Sequence, residues 1–421
     1  MAAAGPGSLA RNPDVALLFA TRILRMFGYG FLDVVLVLYL AAIGLSGGEV
    51  GLLLGLALLG DAGISLWLTT HADRIGRRRV LLVGSMLMLL AGFAFVATPV
   101  FAVLLVAATI GVLSPSGNEV GPFLPVEQAA LTQLVPARSR TGLFAWYQLA
   151  GSFATAAGTL AGGVVSQVAI NGGASSADAY RVVIIGYAVM GGALAMLFTR
   201  VSAAVEVPDA EVADQTVRDR LGLHRSRGVV LRLSALFALD AFAGGFAIQS
   251  FIAYWFHLRF GVDPATLGLI LSAANVLAGL SALAAGRLAA RFGLIRTMVF
   301  THLPSNVLLM LVPLMPNLPL AVTMLLARFA ISQMDVPTRQ SYTMAIVAPD
   351  ERSAAAGVTG IARSLGVAAA PLIAGPLFAT AALASLPFLI SGGLKIVYDL
   401  LLYRSFKRLR PPEETHAQGG A

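Results

Sequence analysis

Thirteen ionisable side chains lie inside otherwise apolar stretches of this 421-residue sequence. Seven are acids (Asp33, Asp61, Glu119, Glu127, Asp240, Asp335, Asp399) and six are bases (Arg22, Arg25, Arg328, Arg339, Arg363, Lys395). An isolated charge in an apolar medium is costly, so such groups form proton relays, solute contacts or ion pairs. Glu119 is the first candidate for a proton carrier. It follows Ser114-Pro115-Ser116-Gly117-Asn118, a stretch that interrupts a helix and frees backbone carbonyls, which is tolerated only beside protein or water. The alternatives for Glu119 are a place at the outer mouth or an ion pair with an arginine. Asp33 has the same choice between a proton and an arginine. Arg25, Arg328 and Arg363 carry guanidinium forks that fit carboxylates, so they are candidates for an anionic solute, with Asp240, Gln249 and Asn275 as further polar contacts. Equally, Arg328 and Arg363 have Asp240 and Asp33 to neutralise. Lys395 and Asp399 are four apart, share a helix face and read as a structural pair; Asp335 and Arg339 have the same spacing.

The elements that hold these groups must be membrane helices. Hydrophobic residues make up 57% and charged residues 12%, with mean hydropathy +0.82. Soluble domains carry about 25% charged residues, and the apolar runs here approach the roughly twenty residues that cross a bilayer core. Twelve spans are predicted, near 15–42, 48–70, 79–98, 100–134, 141–168, 179–200, 229–258, 264–288, 295–315, 318–346, 353–380 and 384–405. The fourth and tenth are longer than a bilayer requires and contain Pro115, Pro122 and Pro125, and Pro337, respectively, so kinks or protrusions are predicted there. The first apolar run is too long for a cleavable signal. No cysteine is present, which excludes disulfides and thiolate metal sites. No Walker loop, zinc-helix pattern or G-x-S-x-G stands in the chain. Neither an enzymatic activity nor a cofactor nor a metal is expected.

Loop charge sets the orientation. With the N-terminus cytoplasmic, 21 of the 29 basic residues fall on the cytoplasmic side, from Arg11 and the Arg74–Arg79 corner to Arg404 and Lys407. Arg181 and Arg259 fall outside, and the other six lie within spans. That asymmetry is the positive-inside pattern, and it explains the net charge of +8 without nucleic acid. A polar connection over 201–228 separates two related halves, predicted as bundles at 1–200 and 229–405 with a tail at 406–421. Leu124-Pro125-Val126-Glu127-Gln128 aligns with Val336-Pro337-Thr338-Arg339-Gln340 at an offset of 212, and Arg74-Ile75-Gly76 with Arg291-Phe292-Gly293 at 217. The fold class is all-α: twelve transmembrane helices in two pseudo-symmetric six-helix bundles. Parallel repeats of this kind bind solute at their interface, near mid-membrane.

Thr69-Thr70-His71-Ala72-Asp73-Arg74-Ile75-Gly76-Arg77-Arg78 resembles the loop signature G-x-x-x-D-R-x-G-R-R of the major facilitator superfamily, with Thr69 in place of the first glycine. Ala290-Arg291-Phe292-Gly293 resembles a worn second copy without the acid, and Pro349-Asp350-Glu351-Arg352 the start of the family's eleventh helix. Gly158-Thr159-Leu160-Ala161-Gly162-Gly163 is similar to the fifth-helix antiporter signature, with Thr159 replacing its proline. The resemblance implies a cytoplasmic gate at Asp73, Arg74, Gly76 and Arg77. Glu127 is the repeat counterpart of Arg339, and the two read either as a cytoplasmic latch across the halves or with Arg339 paired locally to Asp335. The resemblance also makes Asp61 a gate, lining or proton-coupling acid, the alternative being a polar pair with the eleventh helix, and places Arg25 and Asp33 on a helix that lines the cavity.

Two functions compete: a secondary transporter moving a small organic solute by alternating access, and a membrane receptor or sensor without transport. Charges spread through both halves favour a central cavity. Within transport, proton-coupled export competes with a facilitative or proton-linked organic-anion carrier. The expected partners are a small solute, membrane lipid and, in the coupled readings, protons, with no nucleic acid. The expected form is a monomer in the cell (inner) membrane with both ends cytoplasmic.

Overall fold

A computed structural model of the chain describes residues 12–206, 225–348 and 351–407. Most of the predicted linker, the tail beyond Lys407, and Pro349 and Asp350 lie outside the described residues. Among the described residues there are fifteen α-helices and no strands. They are α1 (Pro13–Ala42), α2 (Gly47–Ile75), α3 (Arg77–Ala97), α4 (Phe101–Ile110), α5 (Phe123–Leu134), α6 (Ala137–Asn171), α7 (Ser176–Thr199) and α8 (Arg227–Gly245). The remainder are α9 (Gln249–Phe260), α10 (Pro264–Phe292), α11 (Leu294–Leu311), α12 (Leu318–Ser332), α13 (Asp335–Ile346), α14 (Arg352–Ala379) and α15 (Leu386–Phe406).

Local signals set several helix ends. Ser46 and Glu49 form a reciprocal capping box at the start of α2, and Asn317 accepts from the Leu320 N–H ahead of α12. Gly76 and Gly293 take φ of +102° and +86° between consecutive helices, where a side chain would be strained. The described residues include eleven helical stretches long and apolar enough to cross a membrane. The fourth predicted crossing is divided instead: α4 has ten residues, 111–122 is irregular, and α5 follows. Pro115 and Pro122 lie in that link, and Gly117 and Gly121 adopt positive φ. The tenth span breaks at 333–334, three residues before Pro337, and the seventh breaks at 246–248, just after Gly244-Gly245. Exposed side chains such as Leu90, Phe93, Val189 and Met196 are apolar, a surface suited to lipid rather than water.

The chain divides into two compact units, Met1–Arg218 with Ile252–Ser272, and Asp219–Phe251 with Ala273–Ala421. In the first, α1 is the most enclosed helix and packs on α6 and α7. Small residues allow this. A Cβ on Gly30 would sit 2.9 Å from the Thr155 carbonyl carbon, and one on Gly158 would sit 2.8 Å from that of Phe27. The two backbones therefore touch, as at small-residue membrane interfaces. Gly158→Val is expected to cost about 1–3 kcal/mol through overpacking, read as a lower unfolding temperature in detergent. An unchanged temperature would refute the α1–α6 packing.

In the second unit α8 packs on α14 and α15, and α11 on α15, α12 and α13, around Phe237, Met298, Tyr342, Tyr398 and Leu402. The repeat is visible in the element bounds. From α2 to α10 both ends move by 217, 47 to 264 and 75 to 292; from α5 to α13 both move by 212, 123 to 335 and 134 to 346.

Candidate functional site

In the first unit the charged residues of α1 meet those of the broken fourth span. Arg22 and Arg25 are one turn apart on α1, and both are buried. Arg25 forms a two-pronged pair with Glu127 on α5, at 2.8 Å from Nη1 to Oε1 and 2.7 Å from Nη2 to Oε2, and donates from Nε to Glu119 at 2.8 Å. Arg22 donates to Glu119 at 2.6 Å, to Gln148 Oε1 at 2.9 Å and to the Tyr147 carbonyl at 2.8 Å. Gly151 makes room for that guanidinium, since a Cβ there would lie 2.7 Å from Arg22 Nε. Thr21 and the Tyr147 hydroxyl also donate to Glu127. Glu119, the first proton candidate from sequence, is thus held between two arginines, the ion-pair alternative. Glu127 keeps its partners inside the first unit, whereas the latch reading had set it against Arg339.

The irregular link at 111–122 is satisfied by other helices. Tyr29 donates to the Val120 carbonyl at 3.0 Å, Tyr187 donates to that of Val112, and Asp61 Oδ1 accepts from the Gly121 N–H at 2.6 Å. Asp33 is fully buried and lies against Gly117. Asp33 and Asp61 therefore both border the link.

At the signature corner Arg77 donates from Nε to Asp73 Oδ1 at 2.8 Å and from Nη1 to Gln133 Oε1 at 2.9 Å. Glu206 accepts from the Arg77 and Arg78 N–H groups at 2.7 and 3.1 Å, placing a carboxylate on the N-terminus of α3, where the helix dipole favours it. Gln133 donates to the Glu206 carbonyl at 2.9 Å. Asp73, Gly76 and Arg77 are brought together, while Arg74 points outward. Sequence reading missed Glu206 and Gln133, which tie the corner to α5 and to the stretch after α7.

In the second unit one carboxylate collects three cations. Asp240 on α8 accepts from Lys395 at 2.6 Å, from Arg339 at 3.1 Å and from Arg363 at 3.4 Å. Arg339 also pairs with Asp335 at 3.0 Å, as its spacing predicted. The glycines of α8 and α14 position the group: a Cβ on Gly245 would lie 2.6 Å from the Val367 carbonyl, and one on Gly366 would lie 3.1 Å from the Ala238 carbonyl carbon. Lys395 does not take Asp399, its predicted partner. Asp240 reaches it from another helix, and Asp399 instead meets His302 Nδ1 at 2.9 Å and accepts from Asn306 Nδ2 at 2.9 Å. His302 and Asn306 were also missed, although their spacing of four in an apolar span was the available signal.

Arg363 is the most exposed member, with 36% of its side chain accessible. Arg328 on α12 lies over the Phe329 ring and has no ion pair among the described residues, and its Nε has no hydrogen-bond partner. Gln249 is buried at the head of α9, and Asn275 is half-buried on α10.

The Major Facilitator Superfamily model matches residues 18–318 and 235–421. An uncharacterized membrane protein of Saccharomyces cerevisiae, YJR124C, is 30% identical over 417 residues, which cover 92% of this chain and 93% of that protein. Quinolone resistance protein NorA of Staphylococcus aureus is 27% identical over 135 residues, 32% of this chain and 34% of its own. The crystal structure of the nucleoside transporter NupG superposes with a TM-score of 0.72 at 14% identity, covering 94% of this chain and 100% of that one.

Proposed function

The chain belongs to the Major Facilitator Superfamily, a family of transporters for small solutes, and from that premise we propose that it carries an organic anion. The observation that carries this reading is the charge balance within each unit. In the second, four intramembrane bases (Arg328, Arg339, Arg363, Lys395) face three acids (Asp240, Asp335, Asp399), an excess of one positive charge when His302 is neutral. In the first, two bases face four acids (Asp33, Asp61, Glu119, Glu127). Arg363 makes the longest of the Asp240 contacts and is the most accessible of the three cations, so it is the fork best placed to exchange Asp240 for a solute carboxylate. Arg328 supplies a second guanidinium that makes no ion pair among the described residues. In this reading the halves at 1–200 and 229–405 are the moving bodies, and Asp73, Arg77 and Glu206 form the cytoplasmic corner of the first. Both chain ends are cytoplasmic in the cell membrane, as the loop arginines favour.

The test is flux of organic mono- and dicarboxylates into proteoliposomes. Arg363→Ala and Arg328→Ala are each expected to raise the half-saturating concentration about 10- to 100-fold, the equivalent of about 1.5–3 kcal/mol for a charge-assisted hydrogen bond. The similarity to NorA over a third of the chain motivates a second reading, export of amphipathic compounds. Flux of amphipathic cations that survives both arginine changes and is lost with Asp33→Asn would replace the anion reading with that one.

A further inference from the structure

His302 is a titratable group that the anion contacts do not use. It lies on α11, 5% exposed, with Nδ1 at 2.9 Å from Asp399 Oδ1 and its ring edge-on to Tyr398. Asn306, one turn on, donates to the other Asp399 oxygen. The helices approach closely here because of Gly392 on α15, where a Cβ would lie 2.8 Å from the Asn306 carbonyl oxygen. An ionised carboxylate only accepts hydrogen bonds, so the inferred tautomer has the hydrogen on Nδ1 and the free lone pair on Nε2. Lys395, one turn before Asp399 on α15, donates to Asp240 at 2.6 Å. One helix thus carries both the partner of the imidazole and a cation of the Asp240 cluster.

We propose that His302 is the proton-binding group of this carrier, seated on Asp399 and linked through α15 to the cations around Asp240. The proton adds to the Nε2 lone pair from water on one side and leaves to water on the other, and no other bond changes. Asp399 on α15 contacts His302, its ring meets Tyr398, and Asp240 on α8 acts on it electrostatically while holding Lys395, Arg339 and Arg363; of the other helices packed on α11, α13 also carries Asp335 and α12 carries Arg328. Histidine is the one side-chain type in this set that ordinarily changes charge between about pH 5 and 8. An imidazolium raises the excess positive charge of the second unit from one to two and competes with Lys395 and Arg363 for the acids, leaving a guanidinium free for solute. Proton and anion then bind together and cross in the same direction. This consequence rests on the anion reading; the protonation of His302 does not.

The decisive measurement is a carbon-13 NMR titration of histidine-labelled full-length protein in nanodiscs. The chain has five histidines, so a background with His71, His224, His257 and His416 changed to glutamine leaves His302 as the sole signal. The His302 ring resonance is expected to move with pH, and a resonance that stays fixed over the whole pH range in which the protein remains folded overturns the proposal whatever the solute. The second readout is flux of the best-transported carboxylate with and without an inward proton gradient. The unaltered protein is expected to respond by up to tenfold per pH unit, and His302→Gln to transport without that response. A gradient response preserved in His302→Gln overturns the coupling role. If His302 titrates and no carboxylate is carried, the anion reading fails and the proton site stands.

Discussion

Asp240→Asn is expected to destabilise the protein by about 3–5 kcal/mol, the scale for removing one partner from a buried ion pair. Asp240 receives Lys395, Arg339 and Arg363 at 2.6, 3.1 and 3.4 Å, and losing its charge leaves three cations with Asp335 alone in contact. Arg339 keeps Asp335; Lys395 and Arg363 keep no ion pair among the described residues. The measurement is thermal unfolding in detergent, made alongside Asp240→Asn with Lys395→Met. The double variant removes one charge of each sign and should recover much of the loss. Equal damage in both variants would show that Asp240 matters for something other than its charge.

Arg25→Ala is expected to be as damaging in the first unit, again about 3–5 kcal/mol. It strips the two-pronged partner from the fully buried Glu127 and one of two arginines from Glu119. Arg25→Lys should recover only part of this, because an ammonium cannot reproduce the planar fork or reach both acids. Adding Glu127→Gln to Arg25→Ala should restore stability, since the uncompensated charge is then gone. Unfolding temperatures of the three variants decide the matter, and a lysine variant as stable as the original would show that the fork geometry is not needed.

Local features of the fold were legible in the sequence and distant ones were not. Apolar runs mark the spans and the two offsets mark the repeat, because bilayer thickness acts on consecutive residues. Pro115, Pro122 and Pro337 marked the breaks after Ile110 and Ser332; the break at 246–248 had only Gly244-Gly245 as a cue, and glycine is common at helix contacts anyway. The Asp335–Arg339 and Asp73–Arg77 pairs form at a spacing of four. Lys395 and Asp399 have the same spacing and diverge, because Asp240 comes from 155 residues away and His302 from 97. Spacing along a helix says which residues share a face, and only packing says what that face meets. The same holds for Arg22 and Arg25, whose acids lie 94 to 102 residues on.

The hydrogen bonds of the link at 111–122 bear on how the chain is made. Ten residues of α4 rise about 15 Å, half of a hydrocarbon core of about 30 Å, so α4 alone cannot span and the crossing is completed by the link and α5. Its bare carbonyls and amides are met by Tyr29, Asp61 and Tyr187, the last of which leaves the ribosome some seventy residues later. The full set of partners of this crossing is therefore present only once α7 has been made.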